Sequence, residues 1–159
     1  MKIINEALKK YISNLHGLKL EHVVALIYVL EAPDLESPQQ LQFVFSSECK
    51  FLGFRCGHDG ASIEIFNSPL QENDLGEYGK EVIMEWSGLD VFRAYIGKRF
   101  VNFYFVFSEV EKTNIGVKLE FEGGDDIIIL NVGDEMVFSN SLAPDFEREE
   151  SISYVYMPR

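Results

Sequence analysis

Apolar and polar residues alternate along much of the chain with the period of two that is typical of half-buried β-strands. The clearest example is residues 117–121, where Val, Leu and Phe alternate with Lys and Glu. Residues 123–126, Gly-Gly-Asp-Asp, then supply a turn, and residues 127–132 continue as a strand that is apolar on both faces. We therefore predict a β-hairpin here, with its second strand covered on both sides.

A similar hairpin pattern is found 76 residues earlier in the chain. At this offset Phe45 falls on Phe121 and Phe54 falls on Leu130, and residues 41–57 match the later hairpin in apolar character. Two unrelated amphipathic hairpins can align this well, so the match alone leaves duplication and coincidence equally open.

A second match upstream of the hairpins favours duplication. Residues 15–20 resemble residues 95–100, with a glycine at the same point, and a long apolar strand follows in both places. We predict a single domain over residues 1–159. Within it, two units of about 15–66 and 95–139 are expected to superpose.

The remaining pattern predicts two helices and several further strands. Apolar residues at helical spacing predict an N-terminal helix that ends at His16-Gly17, and a short second helix over 89–96 that stops at Gly97. Further strands are predicted at 20–30, 62–66, 80–86, 100–107, 135–139 and 152–156, and loops at 33–40, 67–79 and 140–150. We take loop 67–79 as the joint between the two units. The fold class is therefore α+β, a mainly antiparallel curved sheet or partial barrel built from two similar strand–hairpin units.

The composition fits one globular domain with a substantial core. Hydrophobic residues make up 47% of the 159 residues, and thirteen Phe and seven Tyr favour strands. The longest apolar runs are too short to cross a bilayer, and the N-terminal stretch lacks the apolar core of a secretion signal. With only two cysteines, Cys49 and Cys56, the chain has no disulfide framework, so we expect a cytoplasmic location.

Acidic residues are concentrated in one part of the sequence. The net charge is −12, and residues 109–150 alone carry 12 acidic and 3 basic side chains, a net charge of −9. Such a surface repels nucleic acid and anionic membranes and attracts basic proteins, although it can also serve solubility alone. We predict that turn acids project together as one negative rim that binds a protein partner: Asp125, Asp126, Asp134, Glu135, Asp145 and Glu147.

The residue types that carry catalysis or bind metal form no known pattern. Cys49, Cys56 and His58 are close in sequence, but their spacing matches no structural zinc site and a fourth ligand is missing. We expect free thiols, no metal and no cofactor, with Cys56 in the core where the other unit has Val132. No nucleophile motif is present, and we predict that the protein is not an enzyme. A pair of carboxylates acting as acid and base stays open, because such pairs leave no sequence signature.

The second half of the chain, residues 89–139, resembles a class of small bacterial proteins. The likeness lies in Ile96-Gly97-Lys98, in the alternating residues 116–121 and in Asn131-x-Gly133-Asp134-Glu135. Proteins of this build occur among the immunity proteins that accompany polymorphic or contact-dependent-inhibition toxins. The resemblance implies a cytoplasmic protein that binds and neutralises a toxin domain, and it implies no catalytic residue.

Three functional hypotheses follow from these observations. The first is an immunity-type inhibitor that binds a basic toxin domain, such as a nuclease, through its acidic surface. The second is a small ligand-binding or enzymatic domain with a pocket in the curved sheet. The third is a structural module in which exposed strand edges pair two chains as a homodimer.

Overall fold

A computed structural model describes residues 4–46 and 50–159 as two antiparallel sheets with three helices. The first half contains α1 (Glu6–Ser13), β1 (Leu20–Leu30), β2 (Ala32–Pro33), β3 (Gln40–Phe45), β4 (Lys50–Cys56), β5 (Ile63–Phe66), β6 (Asn73–Asp74) and β7 (Lys80–Glu85). The second half contains α2 (Asp90–Arg93), β8 (Phe100–Ser108), β9 (Thr113–Phe121), β10 (Asp126–Val132), β11 (Glu135–Ser139), α3 (Pro144–Glu149) and β12 (Ile152–Met157). The predicted α+β class, with curved, mainly antiparallel sheet built from two similar strand–hairpin units, is confirmed.

Five strands have the same order in the two sheets, and the first sheet adds the two short strands β6 and β2. The first sheet runs β5-β4-β3-β1-β7-β6, with β2 paired to β1, and the second runs β11-β10-β9-β8-β12. The registers also agree, since Val23 of β1 faces Phe43 of β3 while Phe103 of β8 faces Leu119 of β9. Each pair has a register shift near its start, after Leu20 in one case and after Phe100 in the other.

The shared pattern extends beyond the predicted hairpins to β7 and β12. Glu85 of β7 pairs with Val24 of β1. Tyr104 of β8 is the residue equivalent to Val24, and it pairs with Tyr156 of β12. Because β7 belongs to the first sheet, the prediction that loop 67–79 joins the two units is wrong. The chain passes between the sheets after β7 instead. The superposition of residues 15–66 on 95–139 stays a prediction.

The predicted match between the second strands of the two hairpins is wrong by one residue. Phe43 faces Leu52 and Leu119 faces Ile127, so Phe54 corresponds to Ile129 and not to Leu130. The cause is the number of residues between the paired ends, three between Phe121 and Asp125 but four between Phe45 and Lys50. A shift of one residue turns every side chain to the other face of a strand. By the same shift, Cys56 corresponds to Asn131 and not to Val132.

The starts of β1 and β8 meet at a nearly symmetric joint. Lys19 and Arg99 form an isolated antiparallel bridge. Around it lie four backbone hydrogen bonds of 2.7–2.9 Å, which form two equivalent pairs. In the first pair Leu20 N–H donates to Lys98 C=O and Phe100 N–H donates to Leu18 C=O; in the second Gly17 N–H donates to Phe100 C=O and Gly97 N–H donates to Leu20 C=O. Gly17 and Gly97 have φ of 83° and 87°, the left-handed region that glycine enters without strain.

The two sheets share one hydrophobic core. Their inner faces contribute large apolar side chains that pack together with residues of α1 and α2: Val23, Phe43, Phe45, Leu52, Phe54, Phe103, Val117, Leu119, Phe121, Ile127, Ile12 and Phe92. Edge-on ring contacts cross between the units, such as Phe45 with Phe100 at 5.7 Å between ring centroids. Each inner face is therefore covered by the other half of the chain.

The outer faces are covered differently in the two sheets. Over the first sheet, the chain that follows β5 packs against β3 through Leu70 and Gln42. Over the second sheet, α3 places Phe146 against a small apolar cluster that includes Val106 and Leu130. The predicted loop 140–150 is thus partly helical, and its Pro144 stands at the first turn of α3, where a missing N–H is harmless.

Candidate functional site

The six acids predicted to bind a partner do not form one rim. Strand β10 separates Asp125 and Asp126 at its start from Asp134 and Glu135 beyond its end. A strand rises about 3.3 Å per residue, so these two pairs lie roughly 20 Å or more apart. The expectation that turn acids project together is wrong because consecutive turns of a meander lie at opposite ends of the sheet. Their role in binding stays a prediction.

Several of these acids already have partners within the chain. The Asp125 carboxylate lies 2.6 Å from Lys98 Nζ, and Asp145 pairs with Arg148 one turn along α3. Asp134 lies at the hairpin tip after β10, where its carboxylate is 3.7 Å from the position that a Cβ would take on Gly60 of the first sheet. Glu135 begins β11 and is exposed. These acids therefore occupy separate parts of the surface.

Asp126 and Glu147 are the two predicted acids that the fold brings to one place. Asp126 lies on the outer face of the second sheet, 3.9 Å from Lys118 Nζ. Glu147 of α3 accepts a hydrogen bond of 3.1 Å from the Tyr154 hydroxyl, and the Tyr154 ring lies beside the same Lys118 ammonium. A lysine and a tyrosine thus connect acids that are 21 positions apart in sequence.

Around this pair lies an ordered polar and aromatic surface, which we call the tyrosine face. Its members come from four neighbouring strands and share the outer side of the second sheet: Asn102, Tyr104, Lys118, Glu120, Asp126, Tyr154 and Tyr156. The covering helix α3 packs against Val106 and Leu130, nearer the other end of the sheet. The tyrosine face is therefore only partly covered: Tyr156 is exposed, its other members are half-buried, and Tyr154 also packs against the cluster under α3.

Lys118 is the centre of the tyrosine face. Its Nζ lies 4.5 Å from the ring centroid of Tyr104 and 4.6 Å from that of Tyr154, so the ammonium rests between two aromatic faces. Each such cation–π contact contributes about 0.5–2 kcal/mol, depending on how far it is shielded from water. The side chain is only 19% exposed, which means that both its stem and its charge are held in place.

A hydrogen-bonded row fixes the neighbouring side chains. Asn102 Nδ2 donates to Glu120 Oε1 at 2.7 Å, and the Tyr156 hydroxyl donates to Asn102 Oδ1 at 3.3 Å. The Tyr156 ring packs on Tyr104 with 5.5 Å between centroids. A surface whose side chains hold each other loses little conformational entropy when a partner binds.

Asp126 is poorly accommodated by its surroundings. Its Oδ1 is buried and has no hydrogen-bond partner among the described residues, although the side chain as a whole is 28% exposed. Burial raises the pKa of this carboxyl above its ordinary value; Lys118 acts in the opposite direction, and Glu120 and Asp125 add to the rise. At 3.9 Å, Lys118 lowers the pKa of Asp126 by less than burial raises it.

Burial also raises the pKa values of two tyrosines on this surface. The pKa of Tyr154 rises to about 12, through burial first and then through its hydrogen bond to Glu147. The pKa of Tyr104 is raised mainly by burial, with a smaller effect from Glu120. Both hydroxyls are therefore neutral at physiological pH, and they can donate as well as accept hydrogen bonds.

Sequence reasoning missed the tyrosine face because its members are spread over 55 positions. Alternation did place Tyr154 and Tyr156 on one side of a last strand, and Lys118 on the polar side of another. Only the pairing of β12 with β8, and of β8 with β9, brings these sides together. Strand order of this kind has no local sequence signal.

The candidate metal ligands form no site in the part of the chain that the structure describes. No group of three or more His, Cys, Asp or Glu side chains converges within residues 4–46 and 50–159, and Cys49 lies outside these ranges. Cys56 is a free thiol. Partial burial, and secondarily the charge of Asp134, raises its pKa to about 11.

Open grooves lie elsewhere on the molecule. One of about 610 Å³ runs between α1 and β12, with Ile4, Phe105 and Met157 on its walls and Lys9 and Lys10 at its side. Another, of about 730 Å³, lies where the β1–β2 turn approaches β6 and β7. Within the described residues, no helix is both long and apolar enough to cross a membrane.

Comparison with known proteins gives no relative from which a role can be transferred: no family model, no curated protein and no solved structure matches this chain.

Proposed function

We propose that this protein is an immunity-type inhibitor that acts in the bacterial cytoplasm by binding a basic toxin domain, such as a nuclease. The observation that carries the proposal is the tyrosine face: a partly exposed, preorganised surface that combines tyrosines with carboxylates. Tyrosine is enriched at protein interfaces because it offers a large contact area and one polar group at low entropic cost.

Charge supports a basic partner. Residues 109–150 carry a net charge of −9, and this segment includes β9, β10 and α3, which supply Glu120, Asp126 and Glu147 to the surface. A nuclease active site is lined with Lys and Arg that hold phosphates, so a carboxylate-rich surface competes with nucleic acid for it. Charge complementarity speeds association, whereas buried aromatic contacts slow dissociation. The resemblance to immunity proteins, carried by residues 89–139, points to the same role.

The test is neutralisation of a toxin domain encoded next to this gene. The domain is expressed in a bacterial host with and without this protein, and survival is counted. We expect survival only when the two are expressed together, and a stable complex when both are purified. Equal killing in the two strains, together with no complex by gel filtration, would contradict the proposal.

A second candidate is ligand binding in the groove between α1 and β12, which has a specific chemical character. Its volume of about 610 Å³ lies in the range of small-molecule sites, and its apolar walls are joined by Lys9, Lys10 and Arg159. This combination suits an amphipathic anion. Calorimetric titration with a medium-chain fatty acid tests it. Saturable binding that Lys10→Met and Arg159→Met weaken would support this candidate, and no heat of binding at two well-separated temperatures would exclude that fatty acid.

A further inference from the structure

The residue of the first sheet that is equivalent to Lys118 is Gln42, and another part of the chain covers it. Gln42 lies on the outer face of β3, opposite Val24 of β1. Lys118 lies on the outer face of β9, opposite Tyr104 of β8. Since the strand order and the registers agree in the two sheets, Gln42 and Lys118 are equivalent residues of the two units.

Gln42 holds a non-helical piece of the chain against the first sheet. Its Nε2 donates to the C=O of Ser68 at 2.6 Å, and its Oε1 accepts from the N–H of Leu70 at 3.4 Å. Gln42 is 2% exposed and Leu70 is 8% exposed, so the side-chain amide and the N–H of Leu70 are shielded from water, whereas Ser68 is exposed. One side-chain amide thus satisfies a backbone acceptor and a backbone donor of a segment that crosses the sheet.

The second sheet offers the same two functions at the equivalent place, but divided between two side chains. Lys118 Nζ is a donor, Asp126 Oδ2 is an acceptor, and the two atoms lie 3.9 Å apart. Tyr104 and Tyr154 flank the pair with aromatic surface, where the first sheet has the smaller side chains of Val24 and Ile83. The chain after β11 packs as α3 on Val106 and Leu130 and touches this place at its border, where Glu147 accepts a hydrogen bond from Tyr154.

We propose that the tyrosine face receives a non-helical segment of the basic partner, in the place where the first sheet holds its own residues 68–70. Lys118 and Asp126 bind the segment's backbone as Gln42 does in the first sheet, and the rings of Tyr104 and Tyr154 pack on its side chains. This inference rests on the proposed function, and it specifies which surface binds and how.

The charge of the surface selects the chemistry of that segment. Glu120, Asp126 and Glu147 outnumber Lys118, and the Glu120 and Glu147 carboxylates are held in place by hydrogen bonds to Asn102 and Tyr154. Lys or Arg side chains on the segment complement these carboxylates and can stack on the tyrosine rings. An acidic segment gains neither of these contacts, and the interior of a helix has no free backbone N–H or C=O for Asp126 and Lys118 to bind.

The experiment measures binding of the toxin domain encoded next to this gene to four variants of this protein. Tyr104→Val installs the residue found at the equivalent place in the first sheet, Lys118→Met removes the donor but keeps the length, and Asp126→Asn removes one charge. Glu36→Gln, in the exposed 34–40 loop, is the control for the loss of one negative charge. Thermal unfolding shows that each variant is folded before it is used.

We expect Tyr104→Val and Lys118→Met to weaken the affinity by about tenfold or more, as central interface residues do. Asp126→Asn should slow association and flatten its salt dependence, whereas Glu36→Gln should bind as the unchanged protein does.

If the unchanged protein binds and all four folded variants bind equally well, this site is wrong and the proposed function stands. If the unchanged protein does not bind, the proposed function and this site fall together. If only Glu36→Gln weakens binding, the interface lies on the 34–40 loop and this site is overturned.

Discussion

At the scale of single residues, Asp126 is a side chain whose burial on folding costs free energy of hydration. Its buried Oδ1 has no partner among the described residues, so the folded state loses hydration without a compensating hydrogen bond. A residue that costs stability yet sits in an ordered surface is typical of a binding site.

Asp126→Asn should keep or increase the stability at pH 7, by up to about 1 kcal/mol, because an amide costs less to bury than a carboxylate. The pKa of Asp126 is raised in the folded state, so its ionised form destabilises the fold above that pKa, and the penalty disappears below the pKa of the unfolded chain. The advantage of the variant should therefore shrink as the pH falls from 7 to 4. Urea unfolding at several pH values measures it, and a variant that is less stable at pH 7 would contradict the account.

Cys56 should be an unreactive thiol. With its pKa raised to about 11, only about one molecule in 1,000 is a thiolate at pH 8, compared with about one in four for an ordinary cysteine. In a Cys49→Ser background, alkylation by iodoacetamide at pH 8 should be about 100-fold slower in the folded protein than in guanidinium. Equal rates would show that the thiol is accessible and ordinary.

At the scale of elements, the segment over the first sheet depends on one side chain. Replacing Gln42 by Leu removes the partner of the Ser68 C=O and leaves the N–H of the buried Leu70 without a hydrogen bond. We expect a loss of about 1–3 kcal/mol in the free energy of unfolding, measured in urea. The same substitution at exposed Gln71 should change it by less than about 0.5 kcal/mol. A Gln42→Leu protein as stable as the control would mean that the amide does not hold the segment.

Elements with a strong local pattern could be predicted from the sequence, and their arrangement could not. Strands β1 and β11 have the predicted bounds, since alternation and apolar runs are local properties. The register of β10 was missed because Ile127, Ile128, Ile129 and Leu130 are all apolar and buried, so a slip of one residue leaves no trace in the pattern. The helix α3 was missed because its six residues, Pro-Asp-Phe-Glu-Arg-Glu, are mostly charged.

The candidate site divides in the same way between local and long-range information. The acidity of the segment and the individual acids could be predicted from the sequence; Asp126 belongs to the tyrosine face and Glu147 borders it. Their grouping required the strand order, because Tyr104, Lys118 and Tyr154 meet only through the pairings of β8 with β9 and with β12. A prediction that places all turn acids at one end of a sheet ignores that the chain reverses direction at each turn.

For the whole molecule, the shared core makes each half dependent on the other. The inner face of each sheet consists of large apolar residues that only the opposite half covers, such as Phe43 and Phe54 in the first and Phe103 and Leu119 in the second. Residues 1–88 and 89–159 expressed separately should give no cooperative thermal unfolding as monomers, and mixing them should restore it. A sharp monomeric transition in either half alone would show that its core is self-sufficient.

Because the joint at Lys19 and Arg99 is nearly symmetric, we expect the fold to tolerate chain termini at either of two equivalent places. The connection after Trp86 leads from the end of β7 into α2. Met157, at the end of β12, is the residue equivalent to Trp86. Residues 156–159 lie beside α1, because both line the same groove. A circular permutant that begins at Gly88 and links Arg159 to Met1 through a short Gly-Ser linker should therefore fold. Its melting temperature should lie within a few degrees of the unpermuted protein, because only an exposed connection is moved. An insoluble or molten permutant would mean that the fold requires the original connection between β7 and α2.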